Sequence, residues 1–263
     1  MSLVINHNLM AMNSARNLNS SYGKLSDSTR KLSSGLRVDT AADDAAGLAI
    51  RELMRSDIAA LNQGVRNAND GISLIQTADG ALGVIDEKLV RMKELAEQAA
   101  TGTYDSTQRL MIDSEYQQMA SEITRIANAT DFNGIKLLDG TLSGTHSGSG
   151  LKSTGALKIH FGTANDSAED YYYIKIGNAT ASSLGVGNAA SGDGSTISTQ
   201  ERAQKALEAL QNAIVSKDSI RAHLGAMQNR LENTISNLQI QAENLQAAES
   251  RISDVDVASE MTN

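Results

Sequence analysis

Two long heptad patterns constrain this chain more than anything else, and no proline interrupts them in 263 residues. The first register runs Met54, Leu61, Ala68, Ile75, Leu82, Leu89, Ala96, and Ile58, Val65 and Ile72 fill the four-residue offset of its first half. The second runs Leu210, Leu224, Leu231, Leu238, Leu245, Ile252, broken only by Lys217. Ile220, Met227, Thr234, Ala248 and Val255 line an adjacent stripe. Apolar residues at this spacing let two helices bury a common seam along their length. At 1.5 Å per residue the first pattern spans roughly 63 Å. The expectation is a mainly α chain, a long antiparallel helical rod or bundle with a small β-hairpin region. Such a shape suits assembly better than catalysis.

Composition supports thin helical seams. An interior proline costs about 3 kcal/mol in a helix, so its absence fits unbroken helices. Tryptophan is absent and aromatics are 3% of residues, so Ala, Leu, Ile, Val and Met must supply the burial. Net charge is −8 and the basic residues form no run longer than pairs such as Arg30-Lys31, which argues against nucleic acid as a partner. No stretch reaches the 18 or so apolar residues of a membrane span. The start, MSLVINHNLMAMNSARNLN, lacks the charged head and apolar run of a cleavable signal peptide. Zero cysteine is compatible with any redox compartment.

Along the chain, residues 1–36 read as a first helix, with Ile5, Leu9, Met12, Leu18, Tyr22, Leu25, Thr29, Leu32 and Leu36 on one stripe. Gly35 interrupts it, and Asp39, Thr40 and Asp43 supply caps for the long helix, which ends at Thr101-Gly102-Thr103. A third helix from about Ser106 to Asn128 has Leu110, Ile112, Tyr116, Met119, Ile123 and Ile126 as its apolar positions. Phe132-Asn133-Gly134-Ile135 is a hairpin turn. Alternation predicts strands over 157–161 and 171–176. Glycine- and serine-rich loops follow, and the last helix runs from Ser198 or Thr199 to about Val257.

Nothing in the pattern points to catalysis, a cofactor or a metal. None of His7, His146, His160 and His223 has a second ligand at metal-binding spacing. Asp43-Asp44 reads as helix capping rather than paired catalytic carboxylates. Ser33-Ser34-Gly35-Leu36 lacks the strand–turn–helix setting of a nucleophile elbow. Gly144, Gly148, Gly150 and Gly155 form no phosphate-binding loop, and Tyr171–Tyr173 reads as strand packing.

Four segments carry a family resemblance: residues 1–19, LSSGLRVDTAADDAAGLAI at 32–50, TDFNGIKLL at 130–138 and RISDVDVASEM at 251–261. In this order they resemble bacterial flagellin, with the related hook-associated junction proteins as the alternative. The resemblance implies a structural subunit that self-assembles into the flagellar filament for swimming motility. It also implies an inner-core helix at 1–42 and an outer-core helical domain at 43–263, with a β segment at about 131–180. Only residues 177–198 stand where many flagellins carry outer variable domains, so a short form without them is expected. The C-terminal inner-core helix that would pair with 1–42 is expected to be absent, leaving 1–36 poorly ordered.

Further expectations follow from the resemblance. Stripe residues Leu18, Leu25 and Leu32 are assigned to self-assembly, exposed in a monomer and covered by neighbours. The expected partners are sister copies, hook-associated junction and cap proteins, and the flagellar type III export apparatus, which threads the chain unfolded to the cell exterior. The segment Val90–Gln98 resembles the flagellin region recognised by Toll-like receptor 5 of a host, which assigns Arg91, Leu95 and Glu115 to receptor binding. Arg91 and Leu95, four apart, would share a helix face, with Glu115 on the neighbouring antiparallel helix.

Overall fold

The computed structural model describes residues 8–148, 154–166, 169–187, 190 and 192–262. Ile5, His7 and Gly150 lie outside them. The elements in chain order are α1 (Leu9–Ser34), α2 (Ala45–Ala100), α3 (Ser106–Ala129), β1 (Asp131–Phe132), β2 (Ile135–Lys136), β3 (Leu157–His160), β4 (Tyr171–Ile174), α4 (Ala181–Leu184), α5 (Gln200–Ser253) and α6 (Val257–Glu260). They form two compact units, Met1–Asn62 with Gln239–Asn263, and Gln63–Leu238. Helices α2 and α5 contribute to both. Position 42/43 falls inside the first unit.

In the second unit α2 and α5 are antiparallel. Lys93 meets Gln211, Asp86 meets Lys217 and Asp79 meets Arg221, so α2 numbers fall as α5 numbers rise. Ala68, Ile75, Leu82, Leu89 and Ala96 of the expected register are all buried, with Leu210, Leu224 and Leu231 in the same cluster. Ala78, Ile85, Met92 and Ala99 form a second buried stripe on α2 that the sequence pattern did not mark. The extra stripe reflects a second helical neighbour, α3. There the buried positions are Tyr116, Ala120, Ile123 and Ala127, at alternating four- and three-residue steps. Leu110, expected on this face, is 57% exposed. Small residues line this face and Gly187 closes on Ala120, so residue size misled the reading of it.

The β segments follow from turn chemistry. Asn133 and Gly134 take φ 51° and 78°, the left-handed pair that a two-residue hairpin turn needs. β3 and β4 pair antiparallel, from Leu157 opposite Ile174 to His160 opposite Tyr171. Both strands stop short of the predicted 161 and 176, while Phe161 and Ile176 remain buried just beyond them. The end of β3 lies hard against α2: Asn67 Nδ2 donates to His160 O at 2.8 Å, and a Cβ at Gly64 would stand 2.0 Å from Phe161 O. Thr199 Oγ1 accepts from Arg202 N at 3.3 Å, capping α5 where the sequence placed its start.

The first unit joins the two ends of the chain. Gly35, at φ 72°, terminates α1. Arg37 N donates to Ser253 O at 2.6 Å, Val255 N to Gly35 O at 3.1 Å, and the Arg37 guanidinium to Ile252 O at 2.7 Å. Ser28 Oγ donates to Glu260 Oε1 at 2.7 Å. These contacts fasten the end of α1, which is helical from Leu9 although the sequence reading left it without a partner. The cap of α2 is Asp44, which accepts from Ala46 N and Gly47 N at 3.1 and 2.9 Å. Asp43, assigned a capping role together with Asp44, instead closes a turn on Thr40 N and Oγ1. α5 ends at Ser253 rather than near Val257, because Asp256 starts α6 by accepting from Ala258 N and Ser259 N.

Candidate assembly and recognition surfaces

α1 is amphipathic and buries none of its described residues. Leu18 and Leu25 are 57% and 61% exposed, Tyr22 between them is equally open, and Leu32 is half-buried. Tyr22, Leu25, Ser26, Thr29, Arg30 and Ser33 line a shallow groove of about 550 Å³. Covering a leucine fully is worth about 1.5–3 kcal/mol, so such a stripe can supply substantial association energy.

The second surface lies where α2 faces α3. Arg91 donates to Glu115 Oε1 through Nε and Nη2 at 3.0 and 2.8 Å, and to Glu94 Oε2 through Nη1 at 3.0 Å. Its hydrogen bonds to Glu115 and then to Glu94 hold the guanidinium above its usual pKa. Exposed pairs of this kind contribute little stability. Their effect is to fix a cation between two carboxylates on an open surface. Leu95 is elsewhere: it is 1% exposed and belongs to the core with Met92 and Ala96. Leu95, expected on the same helix face as Arg91, thus lies on the core side of that face. The packing of α2 covers position 95, while the long arginine side chain reaches outward.

Several structural groups escaped sequence reasoning. Lys217, read as a break in the heptad, is 1% exposed and ion-paired to Asp86 and Asp218 at 2.6 and 2.7 Å. A charge at a core heptad position is the signal that could have revealed it. Asp113 accepts from Thr196 Oγ1 and Ile197 N, ordering the approach to α5. Tyr116 donates to Gly194 O at 2.7 Å, and burial pushes its phenol pKa up. Among the described residues no group of three or more His, Cys, Asp or Glu is placed to hold a metal ion, and no helix is long and apolar enough to cross a membrane.

The family profile of the bacterial flagellin N-terminal helical region matches residues 5–143, and that of the C-terminal helical region matches 207–263. The chain belongs to the bacterial flagellin family. Flagellin FlaB2 of Treponema pallidum is 41% identical, over 99% of this chain and 90% of that protein. A flagellin of Halalkalibacterium halodurans is 43% identical over 98% and 88%. The flagellar filament 33 kDa core protein of Treponema phagedenis is 41% identical over 99% and 90%. The crystal structure of Bacillus cereus flagellin superposes with a TM-score of 0.51 at 32% identity, over 70% of this chain and 94% of that one. A putative flagellar hook-associated protein from Vibrio parahaemolyticus gives a TM-score of 0.61 at 14% identity, over 81% and 100%, a likeness of fold alone. Flagellins are structural proteins and not enzymes. The expected departure from the family at the C-terminal end is corrected to this extent: residues 207–263 represent the family's C-terminal helical region.

Proposed function

We propose that this flagellin is a structural subunit that self-assembles into the bacterial flagellar filament for swimming motility, and that Leu18, Leu25 and Leu32 on α1 carry subunit contacts. The observation behind this reading is an amphipathic helix whose described residues are all left unburied. Contacts that repeat from copy to copy without closing generate a filament rather than a ring. In this reading 1–42 forms the inner-core part and 43–263 the outer-core part, in a short form without outer variable domains. The subunit reaches the cell exterior through the flagellar export apparatus and meets hook-associated junction and cap proteins at the filament's ends. The test is seeded growth: purified protein is added to short filament fragments and followed by sedimentation and electron microscopy. Elongation by the parent protein and its loss in Leu18→Glu/Leu25→Glu supports the assignment. Undiminished elongation by that variant removes it, and a parent protein that only caps the seeds favours a junction or adaptor role.

A second reading rests on the Arg91–Glu115 pair. Its exposed, fixed guanidinium is the feature a host Toll-like receptor 5 would recognise, with Leu95 supporting the surface from within. A receptor-reporter assay on Arg91→Ala, Glu115→Ala and Leu95→Ala tests it. Signalling equal to the parent's in all three rejects this surface.

A further inference from the structure

Lys217 occupies a position where the α5 heptad repeats leucine, yet it is buried. Its ammonium lies 2.6 Å from Asp86 Oδ1 and 2.7 Å from Asp218 Oδ1. One turn further on, Arg221 Nε and Nη2 donate to Asp79 at 2.7 and 3.2 Å. A well-packed apolar residue at a buried ionic position is often as stable or more so. The best-attested use of a lone polar residue in a helical seam is to fix register at some cost in stability.

Hydrophobic matching alone selects the register poorly here. Positions 68, 75, 82, 89 and 96 are all Ala, Ile or Leu, and 210, 224, 231 and 238 are all Leu. A slide of one heptad still faces apolar residues with apolar residues. The charges respond differently. Sliding α5 seven residues towards the C-terminal end of α2 sets Lys217 against Lys93 and leaves Asp79 without Arg221. Sliding it the other way sets Lys217 against Asp79, but places Arg221 against Ile72 and Asp86 against Leu210. The Lys217–Asp218 pair lies within α5 and survives any slide, but only the observed register pairs both cations with aspartates of α2.

We propose that Lys217 and Arg221 read Asp86 and Asp79 as a two-point register code that selects one antiparallel alignment of α2 and α5. The code can be moved. Asp79→Asn with Lys93→Asp transfers the two acidic positions by one heptad, so that Lys217 meets residue 93 and Arg221 meets Asp86 in the slid register. The natural absence of cysteine allows spin labels to be placed uniquely at exposed Glu87 and Asn229, each changed to Cys. Seven residues at 1.5 Å each displace the labels by about 10 Å along the helices. Pulsed electron–electron resonance should give one distance in the parent and a population about 10 Å shorter in the recoded chain. A single unchanged distance in the recoded chain overturns the proposal. If the recoded chain loses its helical circular dichroism, Lys217→Met/Arg221→Met replaces it. A second distance in that variant supports the code, and a single parental one overturns it.

Discussion

Replacing glycine by alanine should have opposite signs at two positions of the same helix. At Gly80 nothing lies within 4 Å of an added Cβ. Alanine there gains the helix propensity that glycine lacks, about 0.5–1 kcal/mol. At Gly64 the same methyl would sit 2.0 Å from Phe161 O and 2.8 Å from Phe161 C. These are backbone atoms, and Cβ contacts essentially never fall below 3.0 Å, so α2 and the end of β3 must part. Overpacking of this kind costs about 1–3 kcal/mol. The separation also strains the neighbouring Asn67–His160 hydrogen bond, worth about 1 kcal/mol. The propensity gain offsets part of this, leaving Gly64→Ala destabilised by about 2–3 kcal/mol. At roughly 2 °C or more per kcal/mol for a chain of this size, melting followed at 222 nm should fall by at least about 4 °C. Gly80→Ala should melt about 1–3 °C above the parent. A Gly64→Ala protein as stable as the parent would refute the close approach of β3 to α2.

Leu89→Ala empties a fully buried position of the α2 seam and should cost about 3–5 kcal/mol in urea unfolding, whereas Leu110→Ala, on an exposed position, should cost under about 1 kcal/mol. Tyr116→Phe removes one of the two hydrogen bonds to Gly194 O, which keeps the one from Gly187 N, and should lower stability by about 0.5–1.5 kcal/mol, read from the same curves. Asp254 has its pKa lowered by hydrogen bonds from Ser250 and then Ser253. Its contribution is therefore present above the ordinary carboxylate value near 3.8 and is lost as pH falls through the depressed folded value. In acid titrations followed by circular dichroism, Asp254→Asn should be less stable than the parent at neutral pH and converge with it at the acid extreme. A constant gap at every pH would show that Asp254 does not act through ionisation.

Much of this architecture was legible because helical periodicity and turn chemistry are local. Zero proline and two heptad registers located α2 and α5, and Asn133-Gly134 fixed a hairpin to the residue. What escaped was set by contacts between elements. Asp43 and Asp44 are equally able to cap a helix, and only the placement of Thr40 and Arg30 draws Asp43 away from that role. Leu110 and Tyr116 are both plausible core residues of α3 by spacing, but the buried face runs through Tyr116, Ala120, Ile123 and Ala127, where Gly187 closes on Ala120.

The proposed recognition surface shows the same limit from the functional side. Four-residue spacing places Arg91 and Leu95 on one face of an isolated helix, yet α2 has neighbours on more than one side. Its buried stripes run through 75, 82, 89 and 96 and through 78, 85, 92 and 99, and position 95 lies against the second of them. A contact role for Leu95 then differs in kind from one for Arg91. Truncating Arg91 removes a surface group and leaves the core intact, while truncating Leu95 opens a cavity and perturbs every neighbour. Loss of receptor signalling in Leu95→Ala therefore identifies a binding residue only if the variant's melting temperature is unchanged, a condition its burial argues against. Arg91 and Glu115 carry the cleaner test, because removing either surface partner changes the displayed charge with little effect on the fold.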